Sequence, residues 1–384
     1  VRESEFVGNF HGIRLSDESQ PVLEENRCGE NQGSGIVYFD RSGGSARNNI
    51  CQKNGGAGIW VGGESAPVLE GNQCVENKVG IGYGDRSGGS ARNNTCLKNG
   101  GHGIQVGGES RPVLEGNRCG EKQQCGIAYW ERSGGTARNN TCLKNGVVGI
   151  SVRGESKPEL ERNRCEENRG VGIWYGDRSG GSARNNTCQK NGGHGIQVAG
   201  ESQPVLEGNR CGENQQCGIA YWERSGGVAR NNTCQKNGRV GIAVEGESKP
   251  ELEGNRCEEN QEVGIAYGDH SGGVARNNTC QKNGKNGISV RGDSKPELEG
   301  NRCGENKYSG IAYWGHSGGV ARNNTCQGNG VGIGVGGESQ PVLEGNRCDN
   351  NDGYGIYVEA SARPKIGRNS ASGNKEADIY REKE

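Results

Sequence analysis

The chain has 384 residues, of which 73 are glycine and only 29% are hydrophobic. So little apolar surface is typical of disordered proteins, because it does not offset the conformational entropy of the chain. However, the 46 basic and 47 acidic residues nearly cancel, and 17 cysteines are present. The balanced charge argues against a nucleic-acid binder, and the lack of an apolar run of about 20 residues excludes a membrane-spanning helix.

The cysteines recur at a fixed spacing along the whole chain. The regular ones are Cys28, Cys51, Cys74, Cys96, Cys119, Cys142, Cys165, Cys188, Cys211, Cys234, Cys257, Cys280, Cys303, Cys326 and Cys348, and Gly-Ile pairs keep the same step. A short fixed period is the signature of a solenoid. Apolar and polar residues alternate in short runs, which is the period of strands. The sequence therefore predicts an all-β fold, a parallel β-helix of about 16 coils.

The repeat also predicts the domain organisation. Because it runs through nearly the whole chain, we expect one β-helix domain over residues 1–384. Residues 1–11 are predicted to form a partial N-terminal coil, and residues 372–384 the end of the last coil and its cap. Solenoid ends expose strand edges, so self-association of the protein end to end is a further hypothesis.

Two types of coil alternate, so that the true repeat spans two coils. One type reads GIQVGGESRPVLEGNRCGEN and the next GIAYWERSGGTARNNTCLKN. Ten residues before the cysteine, acidic and basic residues alternate, as in Glu109, Arg132 and Glu155. In-register parallel strands place equivalent residues about 4.8 Å apart. We therefore predict a ladder of ion pairs in this column, and in the columns four before and two after the cysteine.

The other repeated positions predict which side chains fill the interior of the coils. Tyr129 with Ala137 in one coil type corresponds to Val106 with Leu114 in the other, and both pairs are expected to fill the tube. The asparagines two residues before the cysteine position are expected to stack as a ladder. The regular cysteines are interpreted as buried thiols, since a straight column suits neither disulfides nor a metal cluster. Unpaired thiols favour a cytoplasmic location.

Aromatic residues are the strongest indication of a binding surface. The candidates, all expected to face outward, are Phe39, Trp60, Trp130, Trp174, Trp222 and Trp314. Trp130, Trp222 and Trp314 are 92 residues apart, and so are Cys125 and Cys217, which indicates duplication of a four-coil block. Such a face could bind a carbohydrate or a protein. The alternative is that duplication spread rings that merely pack on neighbouring glycine-rich coils.

The pattern GESxPVLEGNRCxEN followed by GIxVxG resembles the right-handed parallel β-helix repeat family of the pectate-lyase-like superfamily, from Gly12 to Ile379. The resemblance implies a right-handed coil. The family contains polysaccharide lyases, hydrolases and epimerases as well as non-enzymatic modules. The alternation of SxPxLxxNxC with GGxARNNxC coils is most similar to the β-helix of F-box substrate adaptors, in which isoleucine is common where this chain has cysteine.

The functional expectation follows from the regularity of the coils. Enzymes of the family carry long loop insertions, whereas every coil here has 22 or 23 residues. We therefore expect a non-catalytic recognition or scaffold module that binds a protein or carbohydrate, with no catalytic residue, metal or cofactor assigned. The alternatives are a carbohydrate-active lyase, hydrolase or epimerase, and a structural rod. Under the enzyme alternative the candidates are His270, Asp293 and His316, because histidine can act as an acid or base.

Overall fold

The computed structural model describes residues 1–121 and 124–383. Their contacts divide into two units, Val1–Gly192 and Gly193–Glu384. In both units short parallel strands form three sheets, and none of the described residues is helical. The prediction of an all-β parallel solenoid is confirmed. The single-domain organisation and the partial coil at 1–11 stay predictions, as does the end at 372–384, of which Glu384 lies outside the described residues.

We name the three sheets after the residue that each buries. In the first unit the leucine sheet contains Val22–Glu24, Ser45–Arg47, Val68–Glu70, Ser90–Arg92, Val113–Glu115, Thr136–Arg138, Glu159–Glu161 and Ser182–Arg184. The cysteine sheet contains Glu5–Val7, Arg27–Gly29, Ile50–Gln52, Gln73–Val75, Thr95–Leu97, Arg118–Gly120, Thr141–Leu143, Arg164–Glu166 and Thr187–Gln189. The isoleucine sheet contains Ile13–Leu15, Ile36–Tyr38, Ala57–Val61, Val79–Tyr83, His102–Val106, Cys125–Tyr129, Val148–Val152 and Ile173–Tyr175.

The second unit repeats the same three sheets. Its leucine sheet contains Val205–Glu207, Val228–Arg230, Glu251–Glu253, Val274–Arg276, Glu297–Glu299, Val320–Arg322, Val342–Glu344 and Lys365–Ile366. Its cysteine sheet contains Arg210–Gly212, Thr233–Gln235, Arg256–Glu258, Thr279–Gln281, Arg302–Gly304, Thr325–Gln327, Arg347–Asp349 and Ser370–Ser372. Its isoleucine sheet contains Ile196–Val198, Ile219–Tyr221, Val240–Val244, Val263–Tyr267, Ile288–Val290, Ser309–Tyr313, Val331–Val335, Ile356–Val358 and Ile379–Arg381.

Each strand pairs with its equivalent one coil later. The partners in the first unit include Cys119 with Cys142, Ile127 with Ile150 and Leu114 with Ala137. This register aligns the equivalent positions of successive coils, as the repeat predicted: cysteine meets cysteine and isoleucine meets isoleucine, whereas leucine meets alanine. Tyr129, Ala137, Val106 and Leu114 are all fully buried. One coil type therefore fills the interior with a large and a small side chain, and the other fills it with two of medium size.

Two asparagine ladders hold the turns at either side of the cysteine sheet. Asn140 accepts hydrogen bonds from the backbone N–H and from the side-chain amide of Asn117, both at 2.9 Å. Its own amide donates to the carbonyl oxygen of Leu114 and to Oδ1 of Asn163. The second ladder runs three residues after the cysteine, where Asn145 donates to Asn168 at 2.8 Å. The predicted ladder is confirmed, and it satisfies backbone groups that burial would otherwise leave unpaired.

All three predicted charge columns form ion pairs between successive coils. Examples in the first unit are Arg132–Glu109 at 2.9 Å, Arg138–Glu115 at 2.9 Å and Lys144–Glu167 at 3.5 Å. All 17 cysteines are buried and none is part of a disulfide, and burial raises the pKa of Cys165 well above its ordinary value. The described part of the chain holds no cluster of three metal-ligating side chains. Within it, no helix is long and apolar enough to cross a membrane.

Candidate binding face

The candidate site lies on the outer face of the isoleucine sheet. Alternation along each strand turns the isoleucine inward and the next residue outward, and small residues occupy many of these outward positions. In the first unit Cys125, Ala128 and Val148 form an apolar patch against which Val171 and Trp174 pack. These patch residues are less than one-tenth exposed, so the face is a shallow floor rather than a deep cleft.

The equivalent patch of the second unit lies 92 residues later. It consists of Cys217, Ala220, Val240, Ala243 and Val263, with Trp222 and Ala266 packed against it. The recurrence of the patch agrees with the duplicated four-coil block. Cys125 and Cys217, which fall outside the regular cysteine column, are therefore members of these two outer patches rather than of the interior.

Most of the aromatic candidates lie on glycines of a neighbouring turn or coil. A Cβ at Gly82 would be 2.5 Å from Trp60, and a Cβ at Gly107 would be 2.4 Å from Trp130. The side chain of Phe39 reaches Gly62, which also contacts Trp60. Glycine is therefore required beneath the rings, because any side chain would collide with them.

The remaining tryptophans differ in their surroundings. Trp174 lies close to Gly176, and the guanidinium of Arg153 lies 4.0 Å from its ring centroid. Trp314 lies over Gly336 and is 41% exposed, whereas the other candidates are half-buried. The structure brings Phe39 and Trp60 together, whereas Trp130 and Trp174 of the same unit lie on other coils. In the second unit Trp222 and Trp314 are likewise on different coils, 92 residues apart.

Three histidines, His11, His102 and His194, occupy equivalent positions on this face. Two of them accept a hydrogen bond from the backbone of the next coil. His11 Nδ1 accepts the backbone N–H of Ser34 at 3.0 Å, and His194 Nδ1 accepts that of Cys217 at 3.3 Å. His194 also meets Trp222 edge to face, with 4.9 Å between ring centroids. Burial, together with the charge of Arg239, lowers the pKa of His194 to about 4. This imidazole is therefore neutral at pH 7.

His102, which lies 92 residues before His194, lacks the hydrogen bond that His194 accepts. His102 meets Trp130 edge to face at 5.2 Å, and burial lowers its pKa, assisted by the charge of Arg153. Its Nδ1 is buried without a hydrogen-bond partner. The repeat of a histidine beside a tryptophan thus belongs to the duplicated block, and both histidines remain neutral.

The histidines of the enzyme alternative lie elsewhere, in the exposed charge ladder. His270 Nε2 is 3.1 Å from Asp293, and His316 Nε2 is 3.3 Å from Glu338. Each histidine therefore has its own carboxylate partner in the following coil. His270, Asp293 and His316 continue the ladder and do not converge on a shared pocket.

A carboxyl group in the second unit departs from the duplicated block. Glu245 occupies the position of Arg153 one block earlier, so the charge at this position is reversed, and Ala266 stands where the first unit has Trp174. The side chain is half-buried, and burial raises the pKa of Glu245, assisted by the negative charge of Asp269. Sequence reasoning missed this residue, although comparing the two copies of the block position by position reveals it.

Several solved structures and one sequence profile resemble the chain. The solved structures that resemble the chain include a mutant of the periplasmic alginate epimerase AlgG (13% identity, TM-score 0.43, 90% of this chain and 78% of that one). They also include the Azotobacter vinelandii mannuronan C-5 epimerase AlgE4 A-module (13%, TM-score 0.40, 92% and 91%). A third is the catalytic domain of a variant GH87 α-1,3-glucanase in complex with nigerose (11%, TM-score 0.41, 88% and 63%).

These structures are named as carbohydrate-active enzymes, the class of the alternative expectation, but similarity at this level carries no argument about function. No curated protein matches the chain. The sequence profile described as "Right handed beta helix region" matches residues 1–74, 38–164, 67–203, 149–283 and 240–382. Since these regions together span nearly the whole sequence, the chain belongs to the right-handed β-helix family.

Proposed function

We propose that the protein is a non-catalytic recognition module that binds a glycan on the outer face of the isoleucine sheet. One observation carries the proposal: the rings of Trp60, Trp130 and Trp174 rest on glycine backbone and remain half-exposed. Each ring is therefore partly accessible to a ligand, and the Arg153 guanidinium lies over that of Trp174. Aromatic side chains that combine an apolar face with a polar edge suit ligands of the same mixed character, such as sugar rings.

The surroundings of the rings support a ligand that is both apolar and hydrogen-bonding. The floor between them is made of small buried side chains such as Ala128. The Arg153 guanidinium lies over Trp174 at the border of this floor. It can donate hydrogen bonds to the hydroxyl groups of a ligand. Arg132 and Arg138, in contrast, are already engaged in the ion-pair ladders.

The test is binding of the protein to a panel of neutral and acidic oligosaccharides, measured by titration calorimetry. We expect Trp60→Ala and Trp174→Ala each to weaken binding roughly tenfold, the loss of about 1.4 kcal/mol. Ile50→Ala is the matched control, because Ile50 is exposed on the cysteine sheet away from this face. Equal affinity of all variants, or no binding by the wild type, would contradict the proposal.

A second candidate function, a glycan-active enzyme, is favoured by Glu245 alone. A carboxyl group whose pKa is raised by burial is suited to act as a general acid, and Trp222 and Asp269 lie beside it. The test is turnover of the same oligosaccharides, followed by the appearance of new chain ends. Under this alternative Glu245→Gln abolishes turnover, whereas Ile50→Ala, on the cysteine sheet, leaves it intact. Absence of turnover by the wild type removes this candidate.

A further inference from the structure

A separate aromatic cluster occupies the last coils of the second unit. The rings of Tyr354, Tyr357 and Tyr380 lie with their centroids 5.0–5.9 Å apart. Tyr357 and Tyr380 are ladder partners with only 9° between their planes, and Tyr380 is 40% exposed. Sequence reasoning did not single out these tyrosines, because they follow no 92-residue spacing.

Two further exposed rings lie N-terminal to this cluster on the same sheet. Tyr308 is 53% exposed and Trp314 is 41% exposed. The strand Val331–Val335 separates them from the tyrosines, and its outward position is Gly334. A Cβ built there would meet only Ser309 Oγ, at 3.3 Å. The rings thus flank a strand that presents no side chain at its centre, which leaves a slot open between the two sets of aromatic residues.

Two carboxylates are held at fixed positions beside the slot. Glu359 accepts the backbone N–H of Gly337 at 2.8 Å, and Glu382 accepts the hydroxyl of Tyr357 and the backbone N–H of Ala360. Carboxylate oxygens accept several hydrogen bonds each, so both groups retain capacity for ligand hydroxyls. The Lys307 ammonium lies 5.6 Å from the centroid of the Tyr308 ring, so these three groups together carry a net negative charge, which opposes the binding of an anionic polymer.

We infer that this slot, lined by Tyr308, Trp314, Tyr354, Tyr357 and Tyr380, is a binding subsite for a neutral glycan. The sugar rings lie on the aromatic faces, and their hydroxyls donate to Glu359 and Glu382. The inference rests on the proposed function in one respect, namely that the ligand is a glycan. It adds the location of a second site and the charge class of the sugar.

The experiment compares neutral hexasaccharides of glucose and mannose with hexasaccharides of galacturonate and mannuronate, using calorimetry on the full chain. We expect the neutral series to bind. We also expect Tyr354→Ala and Trp314→Ala each to weaken that binding roughly tenfold, and Tyr357→Phe to weaken it less. Trp60→Ala, in the other unit, should leave this component of the binding unchanged. Melting curves of each variant establish that it remains folded.

The outcomes separate this inference from the proposed function. Preferential binding of the uronate series overturns the neutral-glycan site. Glycan binding that is lost in Trp60→Ala but unchanged in Tyr354→Ala and Trp314→Ala also overturns it, while the proposed function stands. If no oligosaccharide binds the wild type, both fail. Binding of a protein partner through these tyrosines, with no response to sugars, counts against the glycan in the same way.

Discussion

At the scale of single residues, some buried polar atoms of the interior have no hydrogen-bond partner. The hydroxyl of Tyr129 is buried without a hydrogen-bond partner, and so is that of Tyr221. Burial raises the pKa of Tyr129. An unsatisfied buried donor costs about 1–3 kcal/mol. We therefore expect Tyr129→Phe to raise the free energy of unfolding by about 1 kcal/mol, measured by urea denaturation at unchanged m-value. A loss of stability would show that the hydroxyl is bonded in solution.

The asparagine ladder has the opposite character, because its members bond to their neighbours, as Asn117 does to Asn140 and Asn140 to Asn163. Replacing Asn140 removes the acceptor of two hydrogen bonds from Asn117 and the donor to Leu114. We expect Asn140→Ala to lower the free energy of unfolding by at least about 3 kcal/mol, since several buried groups lose their partners at once. Thr141→Ala, next in sequence and partly exposed, is the control and should change stability by less than about 0.5 kcal/mol. Similar losses in both variants would argue against the ladder as the source.

At the scale of the strand, the close approach of successive coils depends on glycine before each isoleucine. A Cβ at Gly126 would lie 2.7 Å from the carbonyl oxygen of Gly149 and 2.8 Å from the Cβ of Cys142. We expect Gly126→Ala to cost about 1–3 kcal/mol through the displacement of the next coil. Gly134→Ala is the matched control, because its nearest contact is at 3.5 Å. Thermal unfolding of the two variants should differ clearly, and equal melting temperatures would contradict the crowding.

The ion-pair ladder contributes more to the correct alignment of neighbouring strands than to the free energy of unfolding. Arg132 is 68% exposed and pairs with Glu109, and such surface pairs contribute about 0–1 kcal/mol. Arg132→Ala should therefore have a small effect. Arg132→Glu should cost about 1 kcal/mol, because it creates three successive acidic coils with Glu109 and Glu155. The cost should shrink in 1 M salt. A salt-independent loss would mean that packing, not charge, is responsible.

The sequence predicted the backbone and the columns better than it predicted the site. A regular step of 22 or 23 residues allows only in-register stacking, so the partners of Cys119 or Asn140 followed from counting. The same counting predicts that the aromatic rings face outward. Glu245, Tyr354 and Tyr380 were missed because they break the repeat. A departure from a period shows that a residue is different, but the groups that it meets depend on side chains of neighbouring coils.

At the scale of the whole molecule, the low apolar content is explained by coils that bury few side chains each. Stability then comes from repeated contacts between neighbours, as expected for solenoids. The alternation of two coil types makes neighbouring coils complementary in charge and in size. Consequently a coil should tolerate only the other type beside it, and the smallest unit that can be removed should be two coils.

Deletions in the second unit test that conclusion. Removing residues 235–280 joins Cys234 to Gln281 and places Arg224 beside Asp293, which preserves the alternation. Removing residues 235–257 joins Cys234 to Glu258 and places Arg230 beside Arg276 and Tyr221 beside Tyr267.

We expect the shorter deletion to destabilise the protein more, although it removes half as many residues, because two large rings then fill adjacent layers and like charges align. Melting temperature and the denaturant midpoint are the measurements, and circular dichroism verifies the strand content. If both deletions melt alike, the coils are interchangeable and the alternation plays no part in specifying which coils pack together. If the two-coil deletion alone keeps the melting temperature of the full chain, the pair of coils is the cooperative building block of this solenoid.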